Sequence, residues 1–129
     1  MSLRESCGVY GVYTGSERAF PYLYWGMLAQ NHRGHQSHGF ATYNRGLEVY
    51  TDLGLIPPIT EACIRSRIRR LPGWVGIGNV RYATSGLSDV GSLQRDAMPI
   101  CESNGKSSVA ISFNGNVVNV RSLQDRLGV

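Results

Sequence analysis

The chain has 129 residues, of which 42% are hydrophobic and 17% charged, which fits one globular domain with its own core and excludes a protein of several domains. No apolar run is long enough to cross a bilayer, which excludes a protein that spans a membrane by helices. The formal net charge of +4 is too small an excess to indicate a nucleic-acid partner.

The amino terminus and the cysteines bear on the compartment. Residues 1–6 lack the apolar core of a secretory signal peptide, so we expect a cytoplasmic protein. Cys7, Cys63 and Cys101 lie far apart and form no CxxC motif, which argues against a disulfide framework and against a structural zinc site. We therefore expect free thiols and no metal.

The first part of the chain changes from an extended to a helical pattern and then to a polar segment. Glycine and apolar residues alternate over residues 8–13, which predicts a strand with Cys7 at its start. Ser16 is a candidate cap for a packed helix that runs to Gln30. Residues 31–39 combine polar side chains with two glycines, and we expect a loop there.

The rest of the chain is richer in strands than in helices. The predicted elements are a hairpin with strands at 40–43 and 47–51, a helix at 60–70, a strand at 74–82, an irregular excursion at 87–105, a strand at 107–113 and a last helix capped by Asn119. The helix at 60–70 carries a cluster of arginines, and a solvated helix face is a simpler interpretation of it than a phosphate site.

Cys7 is the first candidate for chemistry, although a cysteine in an apolar strand is more often a small buried hydrophobe than a nucleophile. Its companions favour the functional interpretation. They are Arg33 in a glycine-bearing loop, Arg81 and Thr84 at a strand end, and Asn114 in a tight turn. An amide-cleaving thiol site needs these residue types, because it requires a nucleophile, cations for a carboxylate and an amide donor for a developing oxyanion.

Four blocks of the sequence form one pattern of residue types in a fixed order: Cys7-Gly8-Val9-Tyr10-Gly11, His32-Arg33-Gly34 closing on Gly39, Gly78-Asn79-Val80-Arg81-Tyr82-Ala83-Thr84, and Phe113-Asn114-Gly115-Asn116. Together they resemble the signature of class II glutamine amidotransferases, and most closely the glutaminase domain of amidophosphoribosyltransferases. The resemblance covers residues 7–119 and implies an α+β fold of the N-terminal nucleophile hydrolase type. That fold is an αββα sandwich of two antiparallel sheets between helix layers, with which the strand-rich pattern is compatible.

The resemblance implies a role for each matching residue. Cys7 would attack the side-chain carbonyl of glutamine as a thiolate, and its own freed α-amine would serve as the base. Asn114 and the N–H of Gly115 would hold the oxyanion, and Arg81 and Thr84 would grip the substrate α-carboxylate. No cofactor is implied, and the ammonia would pass to a synthase domain or subunit.

The chain departs from the family pattern at its start. Six residues precede Cys7, whereas in the family the nucleophile is the first residue, because its α-amine transfers the proton. We therefore expect residues 1–6 to be a leader or propeptide that is clipped before Cys7, and residues 7–129 to form a partial type-2 amidotransferase domain. With residues 1–6 attached, the domain would be inactive.

A second departure lies in the loop after Arg33, a residue that would shape the wall near the thiol. His35, Gln36 and His38 stand where the family has glutamine, an acidic residue and alanine. A polar loop rich in histidine is more often solvated than metal-binding.

A third departure lies at the end of the chain. The chain ends soon after Asn116, and the family's acidic residue for the substrate α-amino group lies further on. We therefore expect an incomplete sandwich, with uncovered apolar faces that lead to a homo-oligomer.

Three hypotheses of function follow. The leading one is a glutaminase domain that hydrolyses glutamine to glutamate and ammonia and feeds a synthase such as amidophosphoribosyltransferase in purine synthesis. The alternative is a non-catalytic amidotransferase-like module with an interaction or regulatory role. A small arginine-rich nucleic-acid binder is the third, and it would show a steep salt dependence of binding.

Overall fold

The computed structural model describes residues 7–82, 89–115 and 117–129, with only the backbone described at residues 63, 67 and 68. Its elements in chain order are β1 (Gly8–Tyr13), α1 (Phe20–Leu28), a short 3₁₀ turn (Asn31–Arg33), β2 (Ser37–Tyr43), β3 (Leu47–Leu53), α2 (Ala62–Ile68), β4 (Val75–Arg81), α3 (Val90–Arg95), β5 (Ile100–Ser103), β6 (Ser108–Ile111) and α4 (Val120–Leu127). None of the helices in these described ranges is long and apolar enough to cross a membrane.

Six strands form two antiparallel sheets in the described part of the chain. The larger sheet has the order β1-β4-β2-β3, and β5 pairs only with β6. The register aligns Gly8 with Val80 and Ser37 with Arg81. The starts of β1 and β2 and the end of β4 therefore lie side by side, at the edge of the sheet that is formed by these strand ends. The predicted α+β fold with antiparallel sheets is confirmed.

Helix α1 packs on one face of the larger sheet, and glycines make this close approach possible. A Cβ atom at Gly78 would lie 2.6 Å from Cγ of Met27, and one at Gly76 would lie 2.7 Å from Cδ1 of Leu23. The buried core forms around this contact. Its members are Ala19, Phe20, Leu23, Tyr24, Met27, Phe40, Tyr50, Ile56, Ile64, Leu71 and Val80. Burial of these side chains is the main source of stability for the fold.

The sequence predicts Ser16 as the cap of helix α1, whereas the helix begins further along the chain, at Phe20. The amides of Thr14 and Ala19 donate to the carbonyls of Trp74 and Gly73, at 2.9 and 2.8 Å. These bonds hold the segment between them along the start of β4. Its backbone is therefore bound to a neighbouring segment before the helix begins.

Strand β2 starts at Ser37 and takes in residues that were predicted to be loop. His38 is buried there, and its Nδ1 lies 3.0 Å from the carbonyl oxygen of Gly54. Tyr50, on the neighbouring strand, lies with its hydroxyl 3.5 Å from Nε2 of His38 and donates to Asp52. Strand β3 and the turn after it thus supply hydrogen-bond partners for His38. A polar residue can lie inside the sheet here because buried polar groups are tolerated when they are hydrogen-bonded.

The excursion predicted at 87–105 contains regular structure after all. Asp89 caps α3, because its carboxylate accepts hydrogen bonds from the hydroxyl and the amide of Ser92, and these bonds hold the pKa of Asp89 below its usual value. The chain then crosses the sheet face opposite α1, where Gly39 lets the carbonyl of Met98 approach the backbone closely. Such short-range capping contacts are hard to recognise in a polar stretch.

Candidate functional site

Cys7 lies directly before β1, at the edge of the larger sheet. Its backbone has φ = 54°, in the left-handed region that non-glycine residues seldom adopt. Such a conformation costs about 1–3 kcal/mol and persists only where the surroundings impose it. The turn that sets the direction of this side chain is therefore held by neighbouring groups.

The sulfur of Cys7 is positioned by the residue that follows β4. The amide of Tyr82 lies 3.4 Å from Sγ, and the carbonyl oxygen of Tyr82 lies 3.6 Å from it. The Cys7 residue is half-buried. The backbone N–H and carbonyl of Tyr82 thus hold the sulfur in place, while part of the residue stays open to a ligand.

Arg33 holds the backbone of Cys7 on both sides. The amide of Cys7 donates to the carbonyl oxygen of Arg33 at 3.1 Å, and Nε of Arg33 donates to the carbonyl oxygen of Cys7 at 2.9 Å. Gly34 brings this segment against β4, since a Cβ atom there would lie 2.7 Å from the backbone nitrogen of Arg81. The structure therefore brings together three predicted site residues, Cys7, Arg33 and Arg81, at one edge of the sheet.

Arg81 is the last residue of β4, and its guanidinium has one charged partner in the described part of the chain. Nη2 lies 3.1 Å from Oδ2 of Asp96, just after α3, with side chains 25% and 54% exposed. Thr84, the other predicted carboxylate-binding residue, lies outside the described residues, as do residues 1–6. The predicted role of Thr84 and the leader therefore stay predictions.

Three buried polar atoms lie on the same sheet face near this edge. Ser37 pairs with Arg81 and Gly39 with Asn79, so the side chains of Ser37, Asn79 and Arg81 share a face by the alternation of strand residues. Within residues 7–82, 89–115 and 117–129, Oγ of Ser37, Nδ2 of Asn79 and Nε of Arg81 are buried without a hydrogen-bond partner. Buried polar atoms are usually satisfied, so this edge has spare hydrogen-bonding capacity.

Asn114 and Gly115 follow β6, and both are exposed. In the described ranges no hydrogen bond joins Asn114 to Cys7. The ring of Phe113 lies against Gly115, where a Cβ atom would be 2.6 Å from Cζ of that ring. The two predicted oxyanion donors thus lie in the segment after the second sheet, and their approach to the sulfur of Cys7 stays a prediction.

The three histidines of the glycine-bearing segment diverge. His32 is exposed, His38 is buried in β2, and the ring of His35 packs edge-on against that of Tyr82 with centroids 5.2 Å apart. In the part of the chain that is described, no three histidine, cysteine or acidic side chains cluster as metal ligands would.

Sequence reasoning missed two participants in the site. Tyr82 lies in one of the quoted motif blocks, so the signal for its place near the thiol was present, although its backbone and not its ring makes the contact. Asp96 lies in a stretch predicted to be irregular, and no local pattern distinguishes it from other exposed acids. Only the packing of α3 brings Asp96 to Arg81.

The comparisons with known proteins agree on one group. The chain is 36% identical over 126 residues to amidophosphoribosyltransferase 3, chloroplastic, of Arabidopsis thaliana, which covers 97% of this chain and 22% of the relative. It is 31% identical over 124 residues to the amidophosphoribosyltransferase of Synechocystis, covering 95% and 24%. The enzyme of the same name from Methanocaldococcus jannaschii is 30% identical over 123 residues, covering 94% and 25%.

A solved structure described as the allosteric regulatory enzyme of purine biosynthesis superposes with a TM-score of 0.73 at 28% identity, covering 93% of this chain and 24% of the other. No family model matches the chain. The chain spans between a fifth and a quarter of the length of the relatives compared. Similarity along nearly all of this chain, in sequence and in fold, is to one part of the amidophosphoribosyltransferases, which fits the glutaminase domain of a class II glutamine amidotransferase.

Proposed function

We propose that this domain hydrolyses glutamine to glutamate and ammonia, and that the ammonia serves a synthase in purine synthesis. The observation that carries the proposal is the position of the Cys7 sulfur, half-open at a sheet edge and held against the backbone of Tyr82, with Arg33 and Arg81 beside it. The names of the relatives support purine synthesis as the setting.

The chemistry would proceed in two steps. The Cys7 thiolate attacks the side-chain carbonyl carbon of glutamine, and the carbonyl electron pair moves onto an oxyanion held by Asn114 and the amide of Gly115. Collapse of this intermediate breaks the carbon–nitrogen bond, and the departing nitrogen takes a proton to leave as ammonia. Water then cleaves the thioester, which releases glutamate and restores the thiol.

The base for this chemistry would be the α-amine of Cys7, freed by removal of residues 1–6. While those residues are attached, the nitrogen of Cys7 is an amide, which donates to the carbonyl oxygen of Arg33 at 3.1 Å. An amide nitrogen has no basic lone pair, because its electrons are delocalised into the carbonyl. We therefore expect the unclipped chain to bind glutamine without turning it over.

Arg81 and Thr84 would bind the substrate α-carboxylate, and Arg33 would shape the wall beside the thiol. A planar guanidinium presents paired N–H donors that match the two oxygens of a carboxylate. Nε of Arg81, which is buried without a hydrogen-bond partner among the described residues, is one such donor. The partner that takes the ammonia would be a synthase domain or subunit.

The test compares the full chain with a form that starts at Cys7, made by expressing Met followed by Cys7 and letting the cell remove the methionine. Glutamate and ammonia release are measured for both, and intact mass establishes each amino terminus. We expect release only from the form with a free Cys7 amine, and its loss in Cys7→Ser. Cys101→Ser is the matched control, since Cys101 is an exposed free cysteine outside the site.

Three results would overturn the proposal. They are turnover that persists in Cys7→Ser, turnover that depends equally on Cys101, and a free-amine form that neither hydrolyses glutamine nor reacts at Cys7 with a glutamine-analogue electrophile. The last result would favour the non-catalytic interaction or regulatory module.

A further inference from the structure

A cluster of arginines lies in helix α2 and directly after it. Four arginines occur within six residues of sequence, at Arg65, Arg67, Arg69 and Arg70. The side chains of Arg65, Arg69 and Arg70 are described, and all three are exposed. The remaining basic residues equal the acidic ones in number, so the formal net charge of +4 is the charge of this cluster.

The three described guanidiniums have no acidic partner. None of them forms a salt bridge with any residue of the described ranges. Arg65 and Arg69 are four residues apart, a spacing at which like charges on a helix destabilise each other. Their place near the C-terminal end of α2 explains why the cations are tolerated, because the helix dipole favours positive charge there. It gives no reason for their shared orientation.

The three side chains line one groove. Its volume is about 550 Å³, and the residues that line it are Ala62, Arg65, Ser66, Arg69 and Arg70. No acidic side chain is among these lining residues. A solvated helix face, the simpler interpretation of the sequence, would spread its charges over a convex surface, whereas here they border a common space. A space of about 300–1,000 Å³ is typical of sites for small ligands.

The surroundings of the groove restrict the class of ligand. Among the described side chains of residues 56–81, no aromatic or large aliphatic one is exposed. A protein partner needs such anchors at the centre of its interface, and a nucleobase needs an aromatic surface on which to stack. Guanidiniums match phosphate oxygens through paired N–H donors. Several of them around one groove therefore fit several linked phosphates better than a single anionic group.

We propose that the groove beside α2 binds a chain of linked phosphate groups, held by the guanidiniums of Arg65, Arg69 and Arg70. The phosphates alone are recognised, so an inorganic polyphosphate and the phosphate chain of a larger molecule make the same contacts. The groove contains none of the residues assigned to glutamine hydrolysis. This inference is therefore independent of the proposed function.

Isothermal titration calorimetry on the full chain measures the binding of inorganic triphosphate, orthophosphate and adenosine triphosphate, in a low-salt buffer without divalent cations. We expect triphosphate to bind at least about tenfold more tightly than orthophosphate, because it engages more than one guanidinium. Adenosine triphosphate should bind within about twofold of triphosphate, since the base finds no stacking partner. Binding should weaken as salt is added, because the contacts are exposed and charged.

Arg65→Gln and Arg69→Gln test two of the contacts separately. We expect each variant to bind triphosphate about tenfold more weakly, because one charge-assisted contact is lost. Arg121→Gln is the matched control, since Arg121 is an exposed arginine on α4, outside the groove. The melting temperature of the ligand-free variants reports folding. It should not fall in Arg65→Gln or Arg69→Gln, because a like-charge pair is removed.

Four results would overturn the inference. Triphosphate that does not bind the unaltered protein removes the site, and an equal loss of binding in Arg121→Gln would show that only net charge matters. Adenosine triphosphate that binds at least about tenfold more tightly than triphosphate would show that the nucleoside is recognised as well. Hexaglutamate that binds more tightly than triphosphate would assign the groove to an acidic protein segment.

Discussion

At the scale of single residues, the backbone of Cys7 is the most constrained point of the site. In the chain with residues 1–6 attached, its positive φ, its amide bonded to Arg33 and its carbonyl bonded back to the same residue all hold one geometry, and the bond to the carbonyl does not depend on those residues. A nucleophile benefits from this restraint, because reacting groups already in position do not lose freedom on binding substrate. Arg33 thus helps to fix the direction in which the Cys7 thiol points.

Replacing Arg33 with methionine should weaken the site more than the fold. The carbonyl of Cys7 loses its charged donor, which is worth about 1.5–3 kcal/mol, while the apolar stem of the side chain is largely kept. We expect glutamine hydrolysis by the free-amine form to fall by about tenfold or more. Arg18→Met, at an exposed arginine, is the control. Equal rates in the two variants would show that the bond to Cys7 does not orient the thiol.

Asn114→Ala tests the predicted oxyanion donor. Removal of one such donor costs about 10²–10³ in turnover in other enzymes, because the lost bond forms in the transition state. We expect kcat to fall by this order with KM little changed, measured by steady-state glutamate release. A variant that loses affinity and keeps kcat would instead place Asn114 in ground-state binding.

At the scale of elements, close backbone contacts position the Arg33 segment on β4. Gly34 has an extended backbone, with φ of −154°, so its need for glycine is steric and not conformational. The atoms that a side chain would meet belong to the backbone of Val80 and Arg81. Backbone atoms inside a sheet cannot rotate away as a side chain could.

Gly34→Ala should therefore destabilise the protein by about 1–3 kcal/mol, the usual cost of overpacking a tight contact. Urea unfolding followed by circular dichroism gives the free energy of unfolding. The matched control is Gly11→Ala in β1, where a Cβ atom meets nothing within 4 Å. If the two variants unfold alike, the segment can shift away from β4 at no cost, which would contradict the steric role of Gly34.

At the scale of the whole molecule, the second sheet leaves an apolar face open in the described structure. Ile100 pairs with Ile111 and Glu102 with Val109, so these four side chains share one face of the hairpin. The three apolar ones are 42%, 56% and 55% exposed. A contiguous apolar surface of this kind commonly marks an interaction site.

We therefore expect the chain to self-associate in a concentration-dependent way, as sedimentation velocity would show. Val109→Lys should shift the population toward the monomer, because a charge on this face must lose water when it is covered. The control is Ser108→Lys, which places the same charge on the opposite face of the hairpin. A monomer at all concentrations, or association that both variants retain, would contradict a role for this surface.

Much of the fold could be predicted from local sequence, because alternation of side chains and turn residues act over short distances. The strands at 8–13 and 75–81 and strand β3 follow their predicted patterns closely, whereas β2 begins earlier than predicted, at Ser37. Helix α3 and the start of α1 could not be placed, since a capping contact in one case and hydrogen bonds to a distant segment in the other decide them. Short patterns carry no information about distant partners.

The same division applies to the function. The sequence by itself predicted the class of chemistry, because Cys7, Arg33, Arg81 and Asn114 lie in motif blocks whose residue types and order resemble those of the family. Tertiary structure alone decided which groups meet. The antiparallel register brings Cys7, Arg33 and Arg81 to one edge, and α3 places Asp96 against that edge. Pairing across strands depends on residues far apart in the chain, so this arrangement exists only once the sheet has formed.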